Sequence, residues 1–483
     1  MIYDNILKWA EQTPERPAVT KGGRDLSYGA FAQAIEAARR DFAGRGLTGE
    51  GVVVLAIGEI AWSWVCSLAL RSLGLTTIAI RSAASVGELP LPNVRCVVTM
   101  PSEDWPGLPQ RCAEAGYSLL SLMPGQGAAG TADAPRLRDG GHILTTSGTT
   151  GTSKMVLYDA AAEAGAMRWL SKFDGDTMYH IFDFGAWTAA AFLGPSAVWQ
   201  AGGGVIVSGG TEVHEALRHP GGTDAIMLPH LLSRILAAPE GSFPCNEKLC
   251  LYLSGGTVTM TQLEEAKRRI TPTVINRLAS TEVGGIASTL LESPEDHKWH
   301  RLVPERGVEI VDDDDAPVPV GQVGQMRIPT FDGPSGYYND PDATRRFFRH
   351  GYFYSGDLAV AREDGRIALQ GRVTEVLNVQ GSKIPPAPIE EQIREEFGFS
   401  AVCLFSTQDD QGEEQVFAVV EANEAPAHPI QLRIGGRVEE VELKVCHMRA
   451  MPRTSTGKVI REEVRRQALA RFEPVLVGAS AAG

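Results

Sequence analysis

Apolar residues recur along this chain in two rhythms. Residues 5–45 repeat at helical spacing, with Pro14 and Pro17 breaking the first helix. From there, short runs rich in β-branched residues alternate with longer amphipathic stretches. Val52 to Ile57 reads as a strand, 60–73 as a helix, Thr76 to Ile80 and Val94 to Thr99 as further strands. Strand, helix, strand in that order predicts a parallel sheet. The stretch from Ala61 to Leu75 is apolar but holds Arg71, so it reads as a buried helix and not as a membrane span.

The alternation pauses over 123–140, a Gly- and Pro-rich loop, and resumes from 177. Strands are expected at 204–207, 225–227, 251–253 and 273–275, with helices at 229–238 and 261–270. After about 305, short strands separated by Gly, Asp and Pro turns predict an antiparallel sheet or small barrel, and Asp312 to Asp315 reads as one such turn. A new unit begins near 371, with a helix at 388–396, strands at 401–406 and 415–421, and a basic helix near the end. The expected fold class is α/β. A large N-terminal domain (1–370) holds parallel or mixed sheets with helices plus a barrel-like part, and a small α+β C-terminal domain (371–483) follows.

Composition narrows the function. The 483 residues are 43% hydrophobic and 22% charged, a globular balance long enough for two or more domains. The net charge of −14 argues against nucleic acid and anionic membranes as partners. The basic run Lys267-Arg268-Arg269 falls on a helical pattern and reads as a solvated face. The polar start predicts no secretory leader, and the seven scattered cysteines without a C-x-x-C predict core thiols in a reducing cytoplasm.

The densest chemistry lies in Thr145-Thr146-Ser147-Gly148-Thr149-Thr150-Gly151-Thr152-Ser153-Lys154. Hydroxyls, approachable glycine backbone and one lysine after an apolar strand make a cradle for phosphate oxygens; a flexible linker is the alternative. The spacing is not that of a Walker P-loop. Further on, Ser280-Thr281-Glu282 offers hydroxyls and one carboxylate suited to Mg²⁺, or else a helix cap. Tyr354-Ser355-Gly356-Asp357 presents an aspartate able to accept from two ribose hydroxyls, or else a plain turn. Gly371-Arg372 opens the last unit, Leu377 to Ile384 follows, and Pro452 to Lys458 is a loop that delivers a lysine. Three turns after predicted strands, 145–154, 254–257 and 279–285, are candidates to face one crevice at the carboxyl ends of a sheet.

These five stretches, in this order and spacing, resemble the adenylate-forming superfamily of acyl-CoA synthetases, peptide-synthetase adenylation domains and luciferases, with short- and medium-chain acyl-CoA synthetases nearest. The resemblance implies activation of a carboxylic acid by ATP to acyl-AMP, then transfer to a thiol. That thiol is CoA or the phosphopantetheine of a separate carrier protein. It implies a small C-terminal domain that is mobile. By motif match, Thr146, Ser147, Gly148, Thr149, Thr150 and Lys154 handle the β- and γ-phosphates, Thr281 the α-phosphate and Glu282 the Mg²⁺, with Ser280 also in the nucleotide site. Asp357 and Arg372 hold the ribose, Lys458 is the catalytic lysine, and Gly381 lines the pantetheine path. Four positions depart from the pattern: Ser153 in place of proline, Leu278 and Ala279 in place of an aromatic and a glycine, Thr374 at the hinge, and Asn378 where lysine is common. Glu282, Asp357 and Lys458 are all retained, which favours an active enzyme.

The acid pocket implied by the resemblance draws on His180 to Trp187, Ser254 to Thr257 and Arg277 to Ala279, with Asp183, Trp187, Gly255, Gly256 and Ala279 as candidate lining. The Asp183 region resembles both an acyl-CoA synthetase motif and the ammonium-binding segment of amino-acid adenylation domains; a helix N-cap is the third option. No arginine stands out as a reader of a second carboxylate, with Arg277 the nearest candidate. A stand-alone amino-acid adenylating enzyme, a luciferase-like oxygenase and a non-catalytic relative are the alternatives. Acid identity, choice of thiol and oligomeric state stay open.

Overall fold

The computed structural model describes the chain except for residues 1, 123–136, 138, 147–152, 171, 209–214, 220, 257, 332, 380–381, 409–413, 425–432, 435–436, 439–442, 455–457 and 473–483. The chain divides into two compact units. One comprises Met1–Gly307 with Ile328–Phe353, the other Val308–Arg327 with Tyr354–Gly483.

The first unit holds two sheets. In the smaller, strand order runs Leu119–Ser121, Val94–Thr99, Val52–Ala56, Thr76–Ala79, His142–Thr145, Met155–Tyr158. All neighbours are parallel except the last pair, which is antiparallel. Val52–Ala56 is buried at every position, as expected of a strand covered on both faces. The helix after it, Ile60–Arg71, is buried over most of its length and is capped by the Glu59 carboxylate, which accepts from the Trp62 N–H.

The larger sheet has eight strands, in the order Gly284–Leu290, Thr273–Ser280, Cys250–Ser254, Asp224–Met227, Met178–Phe182, Gly204–Ser208, Pro17–Lys21, Arg24–Ser27. Its two edge pairs are antiparallel and the inner neighbours parallel. Helices Pro229–Leu236 and Met260–Arg269 cover one face, where Leu231, Leu232, Leu251, Leu253 and Leu263 form one buried cluster. Each such leucine contributes about 1.5–3 kcal/mol by burial.

The sequence expectation of helix across 5–45, broken at Pro14 and Pro17, is corrected here. Helices Ile2–Gln12 and Tyr28–Gly44 are separated by the hairpin Pro17–Lys21 and Arg24–Ser27. Its turn is Gly22-Gly23, at φ 55° and 70°, a conformation glycine adopts without steric cost.

In the second unit, Glu309–Val311 pairs with residues 325–327, and Tyr352–Ala361 pairs with Ile367–Arg372 through residues 357–361. Asp312 accepts from the Asp314 and Ala316 N–H groups, so the aspartate run is a turn. Beyond it, Val402–Gln408, Glu414–Glu421 and Leu443–Met448 form a three-stranded sheet. Helices Ala387–Phe397 and Arg461–Phe472 pack against that sheet, with Leu377, Ile389 and Leu404 in one buried cluster and Cys403, Phe417 and Val464 in another. Among the described residues, no helix is long and apolar enough to cross a membrane.

Candidate active site

The glycine–threonine run falls in sequence between the two strands of a hairpin. His142–Thr145 and Met155–Tyr158 are antiparallel, and Thr146 donates its N–H to the Lys154 carbonyl at 2.8 Å while its hydroxyl accepts from the Lys154 N–H at 3.2 Å. Ser147, Gly148, Thr149 and Thr150 lie outside the described residues.

Three other segments are tied to this hairpin. The Thr145 N–H donates to the Trp187 carbonyl, the Tyr158 hydroxyl to the Thr281 carbonyl at 2.8 Å, and the Tyr338 N–H to the Met155 carbonyl at 2.7 Å. The Lys154 ammonium lies 4.5 Å over the Phe347 ring and 5.3 Å over that of Tyr337, within reach of cation–π attraction to both.

A buried ion cluster fixes the base of the hairpin. Arg71, only 1% exposed, donates to the Gly140 carbonyl at 2.8 Å and pairs with Asp139 and, at 2.6 Å, with Glu163. The Gly140 N–H returns a bond to the Arg71 carbonyl. Gly140 precedes the hairpin and Glu163 lies on the helix Ala160–Trp169 that follows it, so one guanidinium ties both flanks. A Cβ on Gly140 would fall 1.9 Å from the Leu75 carbonyl oxygen, which only glycine permits. His142, at the start of the hairpin, receives or donates at Nδ1 with Thr77 and stacks on Phe192. Burial, with the Arg71 charge, lowers its pKa to about 3.

Ser280-Thr281-Glu282 closes the turn between Thr273–Ser280 and Gly284–Leu290. The helix-cap alternative is thereby set aside. A bulge at Leu278/Ala279 twists the strand just before the turn. Glu282, 8% exposed, accepts from the Tyr337 hydroxyl at 2.8 Å through Oε1; Oε2 has no partner among the described residues. The Ser280 hydroxyl is buried and also without a partner among them. A fixed carboxylate with one open oxygen is a hard donor of the kind that could hold Mg²⁺.

On the acid side, Asp183 does not cap a helix. Thr188 caps Ala189–Ala201, and Asp183 adopts φ 55° with its N–H on the Ser208 carbonyl. Its carboxylate is exposed and 3.9 Å from Arg234. Phe182 points into the leucine cluster, while the Trp187 ring lies against Gly185, where a Cβ would come within 2.3 Å of it. Gly255, at φ 85°, and Gly256 turn the chain after Cys250–Ser254, against Leu228 and Pro229. Ala279 is exposed beside the bulge.

The second unit carries the other candidates. Asp357 and Arg372 are cross-strand partners, with Nε 2.8 Å from the carboxylate, and Arg372 also donates to the Ser355 carbonyl. Burial raises the Asp357 pKa, opposed by Arg372, by the Ser355 hydrogen bond and by the charge of Lys458. The Lys458 loop closes on itself: its N–H donates to the Thr454 hydroxyl, and its carbonyl accepts from the Thr454 N–H. Gly381 lies outside the described residues. Sequence reasoning did not single out Tyr158, Tyr337, Phe347 or the role of Arg71; two tyrosines beside Gly336 in a loop were the available signal for Tyr337.

The chain matches the AMP-binding enzyme family over residues 6–338. It is 27% identical over 299 residues to the medium/long-chain-fatty-acid–CoA ligase FadD8 of Mycobacterium tuberculosis, covering 57% of this chain and 52% of that protein. The chain thus spans about half the length of that relative. To the sulfoacetate–CoA ligase of Cupriavidus necator it is 24% identical, covering 94% and 92%. Its fold matches the amide bond synthetase McbA of Marinactinospora thermotolerans (TM-score 0.79, 20% identity, 97% and 100% covered). It also matches ATP-bound MatB of Rhodopseudomonas palustris (0.81, 19%, 98% and 100%). With its Thr146–Lys154 hairpin, Ser-Thr-Glu turn and two open sheets, the chain belongs to the AMP-binding enzyme family.

Proposed function

We propose that this protein is an AMP-forming acid–thiol ligase. A carboxylate oxygen attacks the α-phosphorus of ATP, the bond to the β-phosphate bridging oxygen breaks, and pyrophosphate leaves. A thiol then attacks the acyl carbon and AMP departs. The observation that carries the reading is the hydrogen bond from Tyr158 on the phosphate hairpin to Thr281, which brings the two candidate phosphate-binding segments together.

On this reading Thr146 and Lys154 take the β- and γ-phosphates, and Ser280 and Thr281 the α-phosphate. Glu282 would hold Mg²⁺, whose charge offsets that of the phosphates. Asp357 with Arg372 takes the ribose, and Lys458 stabilises charge developing at the reacting carboxylate and α-phosphate. The family resemblance implies a reaction of two steps with a mobile small domain hinged at Thr374. CoA is the preferred acceptor, because CoA ligases recur among the relatives; a carrier-bound phosphopantetheine offers the same thiol. An amino acid is the less favoured substrate, since the Asp183 carboxylate already faces Arg234.

The test is a single-turnover reaction with ATP, Mg²⁺ and a panel of acids, quenched and analysed by mass spectrometry. Acyl-AMP before thiol addition, and thioester plus AMP after it, is the expected course. Release of ADP and phosphate instead would overturn the assignment.

A further inference from the structure

The Ser280-Thr281-Glu282 turn is gripped by side chains from three other parts of the chain, and one of them is a buried cation. Thr281 gives its carbonyl to the Tyr158 hydroxyl at 2.8 Å, and Glu282 its carboxylate to the Tyr337 hydroxyl, also at 2.8 Å. The next carbonyl, that of Val283, accepts from the Arg306 guanidinium at 2.6 Å. Three successive residues are thus each held by a donor from elsewhere in the chain. The bond to Val283 is buried, and a charged donor makes it roughly twice as strong as a neutral one.

The backbone is shaped to deliver Arg306 to this place. Residues 301–303 run beside the edge strand Gly284–Leu290: the Ser288 N–H donates to the Arg301 carbonyl at 2.9 Å, and the Val303 N–H to the Ile286 carbonyl at 3.0 Å. Glu305 then adopts φ 61° and Gly307 φ 68°. The left-handed region is uncommon for a residue with a Cβ, so Glu305 marks a position under constraint. Between these two, Arg306 turns inward to 1% exposure. Its guanidinium lies 4.9 Å over the ring of Trp169, the last residue of the helix Ala160–Trp169 that also carries Glu163 of the Arg71 cluster. One side chain thereby joins the helix after the hairpin to the Ser-Thr-Glu turn. A guanidinium is a rigid planar fork that stacks on an aromatic face, so the ring fixes the direction in which it donates to Val283.

We propose that Arg306 is a positioning residue for the metal–nucleotide site: by holding the Val283 carbonyl it fixes the backbone that aims the open Glu282 oxygen. It acts through the turn and not on the reacting atoms. This rests on the acid-activation reading above, and within it on Glu282 as the Mg²⁺ ligand. A carboxylate beside phosphates repels them unless a cation lies between, so the set of the turn governs how much Mg²⁺ tightens ATP binding.

The experiment is calorimetry of ATP binding with and without Mg²⁺, which needs no acid. Mg²⁺ tightens binding to the wild type. Arg306→Met shrinks that gain by roughly 10-fold, as loss of a contact that orients a metal ligand does, while metal-free affinity changes by no more than a few-fold. The ratio of the two affinities cancels any general pull of a buried cation on an anion, and thermal melting shows whether the variant folds. Arg306→Lys keeps a charged donor without the fork and retains only part of the gain. Should Arg306→Met fail to fold, a several-fold smaller gain in Arg306→Lys upholds the proposal. A gain equal to the wild type's in Arg306→Met, or in Arg306→Lys where Arg306→Met is unfolded, overturns it and leaves the acid-activation reading standing. A wild type that binds ATP no better with Mg²⁺ removes Glu282 as the ligand and overturns both.

Discussion

Among the described residues, Glu282 is held by a single hydroxyl, and the residue that supplies it is 55 positions away in sequence. On the proposed reading, that bond aims the open carboxylate oxygen at Mg²⁺. Tyr337→Phe keeps the ring packing on Phe347 and Phe348 but removes the bond. It is expected to raise the Mg²⁺ concentration needed for half-maximal rate by roughly 10-fold, as loss of a ligand-orienting contact does; an unchanged Mg²⁺ titration would refute this. Glu282 and Asp357 stood out as candidates in the sequence because each sits in a short contiguous motif. Tyr337 and Tyr158 were not, because their partners lie 55 and 123 residues away and only the fold brings them together.

Acid stability is also set residue by residue. Burial holds His142 and His180 at pKa values of about 3 and His300 at about 4, against about 6.5 unfolded. Below pH 6.5 the unfolded chain takes up protons that the folded chain refuses. Stability therefore falls as pH drops from 6.5 toward 4, by about 1.4 kcal/mol per pH unit for each histidine. Urea midpoints at pH 7, 5.5 and 4.5 for wild type and His180→Gln check this. The variant should lose less on acidification, and parallel pH slopes would refute it.

At the level of elements, the hairpin of His142–Thr145 and Met155–Tyr158 depends on a guanidinium at its base. Removing Arg71 leaves Glu163 and Asp139 buried without their cation, at a cost of about 3–5 kcal/mol. Arg71→Met should therefore unfold at much lower denaturant. The double variant Arg71→Met/Glu163→Leu should recover part of that stability while KM for ATP stays raised, since the flanks of the hairpin are no longer joined. Full recovery of KM in the double variant would show that the cluster is structural only. The sequence showed Arg71 as a charge within an apolar helix but not what it held, because Asp139 and Glu163 are distant in the chain. Most strand–helix units were legible from periodicity. The hairpin of residues 17–27 was not, because its two strands are short and helical spacing continues on both sides; the Gly22-Gly23 pair was the overlooked mark.

At the level of the molecule, the candidate residues divide between two units, and the larger is completed by a segment, Ile328–Phe353, that follows the start of the smaller. A sequence read from one end to the other suggests one boundary near 370; compactness gives a discontinuous partition. On the proposed reading, Thr374, exposed in the short turn Val373–Glu375, is the hinge. Thr374→Pro, which stiffens that turn, should leave acyl-AMP formation within a few-fold and reduce thioester formation by at least 10-fold. Equal loss in both half-reactions would remove the hinge from the account.

The central claim, acid activation through acyl-AMP, is tested most directly by ATP–pyrophosphate exchange without thiol, in wild type and Lys458→Ala. The account predicts exchange that requires both Mg²⁺ and an acid, and that falls roughly 100- to 1000-fold in the variant. Exchange that persists at full rate in Lys458→Ala, or ATP turnover to ADP with no exchange for any acid, would contradict it.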